Sequence, residues 1–329
     1  MSLPGLDLDK LGGKLGDGPL SAELIEGGRS NLTYVVTDGT HKWVVRRPPL
    51  GHVLPTAHDM AREYRVITAL KDTAVPVPGT EFLCEDTEVL GAPFYVMEFM
   101  PGVPYRSKEE LGALGPERTR AIVFAMIDTL ADLHAVDPAS VGLGDFGRPE
   151  GYLERQLRRW GKQLDASRSR DLQGIDRLHE RLAARLPSSA EATILHGDYR
   201  LDNTLVLDDR ISAVLDWEMS TLGDPLADIG LTLAYASRET PDTSIISNVS
   251  GAPGYPSADE VIDHYATRTG RDVSNLDWYI AFSFFKLAVI TEGIYYRFSQ
   301  GKTVGHGFEF IGALVEPVVA QGNATLKEN

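Results

Sequence analysis

Asp198, Asn203 and Asp216 are the residues whose types and spacing first suggest chemistry. In Leu195-His196-Gly197-Asp198-Tyr199-Arg200-Leu201-Asp202-Asn203 a carboxylate and an amide stand five positions apart, and Asp216 follows thirteen residues after Asn203. Phosphoryl transfer needs such a set. One carboxylate must face the acceptor hydroxyl, and oxygens from an Asn and an Asp suit the hard cation Mg2+ that neutralises phosphate oxygens. Apolar runs at 205–207 and 211–215, separated by Asp208-Asp209, predict a short hairpin that would return Asp216 to the side of Asn203. His196 reads as a scaffold for the loop rather than a proton shuttle, and Asp202 as a solvated or loop-bonding residue. Asp224 and Asp228 flank Pro225 where a helical pattern starts, which favours structural, cap-like roles for both.

These residues need elements to hold them. Residues 22–47 alternate short apolar runs with turn signals, first Gly27-Gly28-Arg29-Ser30-Asn31 and then the hairpin dipeptide Asp38-Gly39. The pattern predicts a three-stranded antiparallel meander closed by Pro48-Pro49. Met60, Tyr64, Ile67 and Leu70 share one face of a helix over 59–70, and 80–84 and 93–99 read as two more strands around an acidic turn. After Pro101-Gly102 the period becomes helical, with Pro116 at a first-turn position and Ile122, Val123, Met126, Ile127, Leu130 and Leu133 behind it. Charged amphipathic helices are expected over 152–166 and 172–186, and helices again from 225 onward. No internal repeat or low-complexity segment interrupts the chain.

At 329 residues the chain exceeds the size at which one hydrophobic core stops growing, so two lobes meeting at a cleft are expected. They divide near residue 101 into 1–100, a nucleotide-binding lobe, and 101–329, a catalytic and substrate-binding helical lobe. With 32 Lys+Arg against 47 Asp+Glu the formal charge is −15, and no basic run is present to collect a nucleic-acid backbone. A nucleotide triphosphate would therefore depend on locally placed Arg, backbone N–H groups and a metal ion. The single cysteine, Cys84, excludes an intramolecular disulfide and fits a reducing, cytoplasmic setting; no chemistry is assigned to it. No secretory signal precedes the first strands. The most apolar stretch, 278–296, carries Lys286 and Glu292 and reads as a buried helix, not a membrane span.

The loop and Asp216 together resemble the catalytic loop and metal-binding Asp of protein kinases, with His-Gly-Asp in place of His-Arg-Asp and Asp216-Trp217-Glu218 in place of Asp-Phe-Gly. That pattern, with Gly223-Asp224-Pro225-Leu226-Ala227-Asp228, is similar to the aminoglycoside phosphotransferase and choline kinase-like branch of the superfamily. The resemblance covers roughly residues 20 to 300. It implies an α+β, bilobal kinase-like fold: a small N-terminal lobe with a five-stranded antiparallel sheet plus one helix, and a larger, mainly helical C-terminal lobe.

By the same resemblance Asp198 is the catalytic base or orienter, and Asn203 and Asp216 are the Mg2+ ligands. Gly28 and Ser30 would bring backbone N–H groups to the phosphates, although the full three-glycine spacing of kinases is missing. The phosphate-pairing Lys of the third kinase strand is absent here; the strand ends Trp43-Val44-Val45-Arg46-Arg47. Successive strand residues face opposite sides, so only one Arg can enter the cleft, and Arg46 is chosen, with Glu63 as its acidic partner. Glu98 and Met100 occupy the hinge that offers backbone groups to the purine. The co-substrates are ATP or GTP and a small hydroxyl compound. The Arg46-Arg47-Pro48-Pro49 strand end and Asp216-Trp217-Glu218-Met219 look most like kinase-like domains associated with acyl-CoA dehydrogenases, which ranks a hydroxyacyl-CoA first. An aminoglycoside, aminoalcohol or sugar comes next. A metal-dependent phosphohydrolase and a nucleotide-binding pseudokinase are the readings from other classes.

Overall fold

β-branched and aromatic residues two apart build the sheet that opens the chain. The computed structural model describes residues 3–16, 18–25, 31–50, 58–237, 247–301 and 308–327. Strands β1 (Ser21–Leu24), β2 (Leu32–Thr37), β3 (Lys42–Arg47), β4 (Thr80–Cys84) and β5 (Phe94–Glu98) lie in the order β1-β2-β3-β5-β4, antiparallel throughout. The register pairs Val35 with Val44, Val44 with Met97 and Arg46 with Tyr95. Period-two alternation then divides the sheet. Val44, Tyr95 and Met97 join the core shared with the helical part, whereas Tyr34, Val36, Val45, Phe94 and Val96 form a second core on the opposite face.

Two short helices join the one expected beside this sheet. α1 (Leu8–Leu15), capped by Asp7, plugs Leu11 into the second core, and α3 (Thr87–Leu90) occupies the acidic turn, capped by Asp86 and closed by Gly91 at φ 80°. The expected helix is α2 (Met60–Leu70), capped by Asp59. It packs Met60, Val66, Ile67 and Leu70 against the shared core.

Helices dominate beyond the sheet: α4 (Lys108–Gly112), α5 (Pro116–Ala135), α6 (Tyr152–Ser167), α7 (Ile175–Ala184), α8 (Leu226–Ser237), α9 (Ala258–Thr269), α10 (Leu276–Ser299) and α11 (Val315–Thr325). α7 begins three residues later than its apolar pattern suggests because Gly174, at φ 80°, starts it. Two short ladders interrupt the helices, β6 (Thr193–Leu195) with β9 (Thr221–Gly223) and β7 (Thr204–Leu207) with β8 (Arg210–Val214). The β7–β8 hairpin falls where the sequence places it; β6 and β9 are too short to leave a periodic signal. α10 is the buried helix expected over 278–296, and no described helix is long and apolar enough to cross a membrane.

Candidate active site

The loop between β6 and β7 is held from behind. Asp228, fully buried on α8, accepts from the backbone N–H of His196 at 2.7 Å and of Gly197 at 2.9 Å, and lies 3.4 Å from His134 Nε2. Burial works against its charge, but His134, His196 and those amides together hold the carboxyl below its ordinary value. His196 Nε2 donates to Leu215 O at 2.8 Å while Nδ1 accepts from Asp198 N at 3.2 Å. Both ring nitrogens are thus spent on backbone, which suits a buried scaffold. Gly197 must be glycine, since φ is 84° and a Cβ would stand 2.5 Å from Met219 O. Asp224 caps α8 through Leu226 N and also accepts from Ala190 N and Tyr279 Oη.

Asp198 emerges from this frame with both carboxylate oxygens engaged. Oδ2 accepts from Asn203 Nδ2 at 3.0 Å and Arg200 Nε at 3.3 Å, and Oδ1 from Tyr235 Oη at 2.9 Å. Asn203 Nδ2 also donates to Asp198 O at 2.9 Å, which leaves Oδ1 as the oxygen this buried amide can offer a cation. Leu215 N bonds Asn203 O at 2.8 Å, so the end of β8 sits beside Asn203. The next residue, Asp216, turns into the left-handed region at φ 65°, ψ 60°, a conformation that a short polar side chain tolerates better than a branched one.

Arg46 comes to Asp216 from the sheet. Its Nη2 donates to Asp216 Oδ1 and its Nε lies 2.9 Å from Glu63 Oε2. Burial works against the guanidinium charge, yet Glu63 and Asp216 hold it more firmly protonated than usual. Glu63 is itself buried on α2, accepting from Tyr95 Oη at 2.8 Å and Asn31 Nδ2 at 3.3 Å. Asn31 reaches on to Glu218 at 3.1 Å. Glu63, Asp216 and Glu218 each bring a carboxylate oxygen within 4.8 Å of the others, and Arg46 pairs with the first two. Arg47, one residue on, points to the opposite face and donates to Gly5 O and Leu90 O.

The structure thus brings Asp198, Asn203, Asp216, Arg46 and Glu63 into one neighbourhood. Glu98 ends β5 with its N–H given to Gly79 O at 2.7 Å, and Met100 follows, partly exposed, at the exit from the sheet. Gly28 and Ser30 fall outside the described residues. Arg200 and Tyr235 were not singled out from sequence, and Lys286 was noted only as a charge in the apolar stretch 278–296. Arg200 ion-pairs with Asp202 at 3.0 Å and lies over the Tyr235 ring. Lys286 donates to Gly197 O at 3.0 Å and lies 5.7 Å from the Trp160 ring centroid; burial lowers its pKa. A charge within an otherwise apolar helix was the signal available for Lys286. Nothing in the apolar run of α8 distinguishes Tyr235.

A model of the phosphotransferase enzyme family matches residues 21–261. Acyl-CoA dehydrogenase family member 10 of Mus musculus is 36% identical over 334 residues, covering 96% of this chain and 30% of that protein. The chain spans well under half the length of the curated relatives it matches. A solved structure from Ralstonia eutropha, named as a candidate aminoglycoside phosphotransferase, superposes with a TM-score of 0.82 at 34% identity over 95% of this chain and 94% of that one. A thermostable mutant of aminoglycoside phosphotransferase APH(4)-Ia, solved with ADP and hygromycin B, gives 0.62 at 13% identity over 94% and 95%, a likeness of fold alone.

Proposed function

The chain belongs to the phosphotransferase enzyme family, and from that premise we propose that it transfers the γ-phosphoryl group of Mg·ATP or Mg·GTP to a hydroxyl of a hydroxyacyl-CoA. The observation that carries the reaction type is the convergence of Asp198 and Asn203, 3.0 Å apart, with the Asp216–Arg46–Glu63 series. Residues 1–100 would bind the nucleotide and 101–329 the acceptor. The acceptor class rests on the acyl-CoA dehydrogenase relatives.

Each side chain has a task in this scheme. Asp198 accepts a hydrogen bond from the acceptor hydroxyl and aims it at the γ-phosphorus, taking its proton as the new P–O bond forms and the bond from the γ-phosphorus to the β,γ-bridging oxygen breaks, so that ADP or GDP leaves. Tyr235 Oη occupies Asp198 Oδ1 here and gives way to that hydroxyl. Asn203 through Oδ1 and Asp216 through its second carboxylate oxygen would hold Mg2+, which supplies neutralisation of phosphate charge when bound. Arg46 turns from Asp216 to the phosphates, kept in reach by Glu63. Val44 and Met97 would floor the purine site on the same face of the sheet, with Glu98 C=O and Met100 N–H at its edge. Catalysis is then mostly positioning and charge neutralisation.

A nucleotide-consumption screen over hydroxyacyl-CoAs, aminoglycosides, aminoalcohols and sugars tests this. Turnover is expected with hydroxyacyl-CoA and should fall about 10²–10⁴-fold in Asp198→Ala. Full turnover by that variant would sink the mechanism. The likeness to the candidate aminoglycoside phosphotransferase from Ralstonia eutropha and the charge of −15 favour a cationic aminoglycoside as the second reading, and the same screen separates the two.

A further inference from the structure

Two adjacent chambers with walls in common lie on the helical side of Asp198. The first is narrow. Tyr235, whose hydroxyl bonds Asp198 Oδ1 at 2.9 Å, lines it together with Arg200, Asp202 and Ser247. Met126, Thr232, Ala236, Ser250 and Tyr255 line this chamber and also the second, a cavity of about 170 Å³ between α5, α8 and α9. Among the residues that line the second alone, Val123, Ile127, Leu233 and Val261 are apolar and buried, whereas Ser237, Ser257 and Ala258 are exposed at its mouth. The lining is therefore polar beside the carboxylate that would orient the hydroxyl and mainly apolar farther from it.

We propose that this cavity receives the apolar tail of the acceptor beyond its hydroxyl, making the enzyme selective for hydroxyacyl thioesters with tails of medium length. The inference rests on the acyl reading of the acceptor given above. Thr232, Ser237, Ser250, Tyr255 and Ser257 offer hydroxyls on one side of this chamber, but a sugar or aminoglycoside filling it would still bring hydroxyl and ammonium groups against Val123, Ile127, Leu233 and Val261, and burying such groups unpaired is costly. An alkyl tail loses nothing there and leaves water. At about 30 Å³ per water-sized group the cavity holds roughly five or six carbons. Ala236, on the wall common to both chambers, and Ala258, on the outer one alone, are the small residues that keep this space open.

The test is a series of hydroxyacyl-CoAs with the hydroxyl fixed relative to the thioester and the tail lengthened one methylene at a time. kcat/KM is expected to rise about fourfold per methylene, as apolar transfer dictates, and to stop rising near the fifth or sixth. In Ala236→Phe and Ala258→Phe the ratio of long-tail to short-tail kcat/KM should fall at least tenfold, with thermal melting and nucleotide affinity reporting that each variant is folded. A flat chain-length profile, or an equal loss for short and long tails in both variants, overturns the proposal. Absence of transfer to every member, with nucleotide still bound, overturns the acyl reading itself and this inference with it.

Discussion

Arg46 shows how one side chain can serve two states. It lies between Glu63 and Asp216, and Glu63 is fixed by further bonds to Tyr95 and Asn31. Burial pushes the Glu63 carboxyl up, and Arg46 opposes that shift. Replacing Glu63 by Gln retains the shape and removes the charge that anchors the guanidinium. With charge-assisted contacts contributing about 1.5–3 kcal/mol, the nucleotide KM should rise roughly ten- to hundredfold while the acceptor KM moves little. Equal changes in both constants would show that Glu63 is a fold residue and not a positioning one. Strand alternation allows only one of Arg46 and Arg47 into the cleft, and Arg46 is chosen from sequence because its phase puts Val44 on the same face. Tyr235 was not legible, because its contact with Asp198 spans 37 positions and arises only when α8 packs behind the loop.

At the scale of elements, the 196–203 loop hangs from α8 by the two oxygens of Asp228, and this buried suspension makes the loop a rigid platform. Asn in place of Asp228 can accept only one of the two amide protons and turns a donor toward the other. The variant should lose about 1–3 kcal/mol of stability at neutral pH, as expected for an unsatisfied buried donor. The sign with pH follows from the lowered folded pKa. The ionised carboxylate contributes stability that is full above its ordinary value of 3.8 and is lost as pH falls through the lower folded value. Denaturant unfolding should therefore show the gap between wild type and Asp228→Asn narrowing as pH drops below about 4; an unchanged gap would mean that charge is not what holds the loop. Sequence placed Asp228 among structural residues but could not show what it holds. The β7–β8 hairpin was visible through its turn, whereas β6 and β9, three residues each, are set by tertiary pairing and carry no period of their own.

Over the whole molecule, the sheet and the helical part are joined near the site by a few directed contacts. Arg62 reaches Ser220 O at 3.0 Å, Val214 N reaches Pro76 O at 2.8 Å, and Arg46 reaches Asp216. Each links residues more than a hundred positions apart, so length alone could indicate two lobes but no motif could show how they meet. In a chain of charge −15, the proposed triphosphate between them would be tolerable where Arg46 and a cation on Asn203 and Asp216 reverse the local field. Nucleotide and metal should therefore bind as a coupled unit that ties both parts of the molecule together. Mg·nucleotide at a hundredfold over its Kd should stabilise the fold by about 2.7 kcal/mol, read as a rise in Tm. Chelating the metal at the same nucleotide concentration should remove most of that rise. In Asn203→Ala the rise should become nearly insensitive to Mg2+, whereas Arg46→Ala should weaken stabilisation with and without the metal. A metal-dependent Tm rise in Asn203→Ala equal to that of the wild type would remove Asn203 from the metal site.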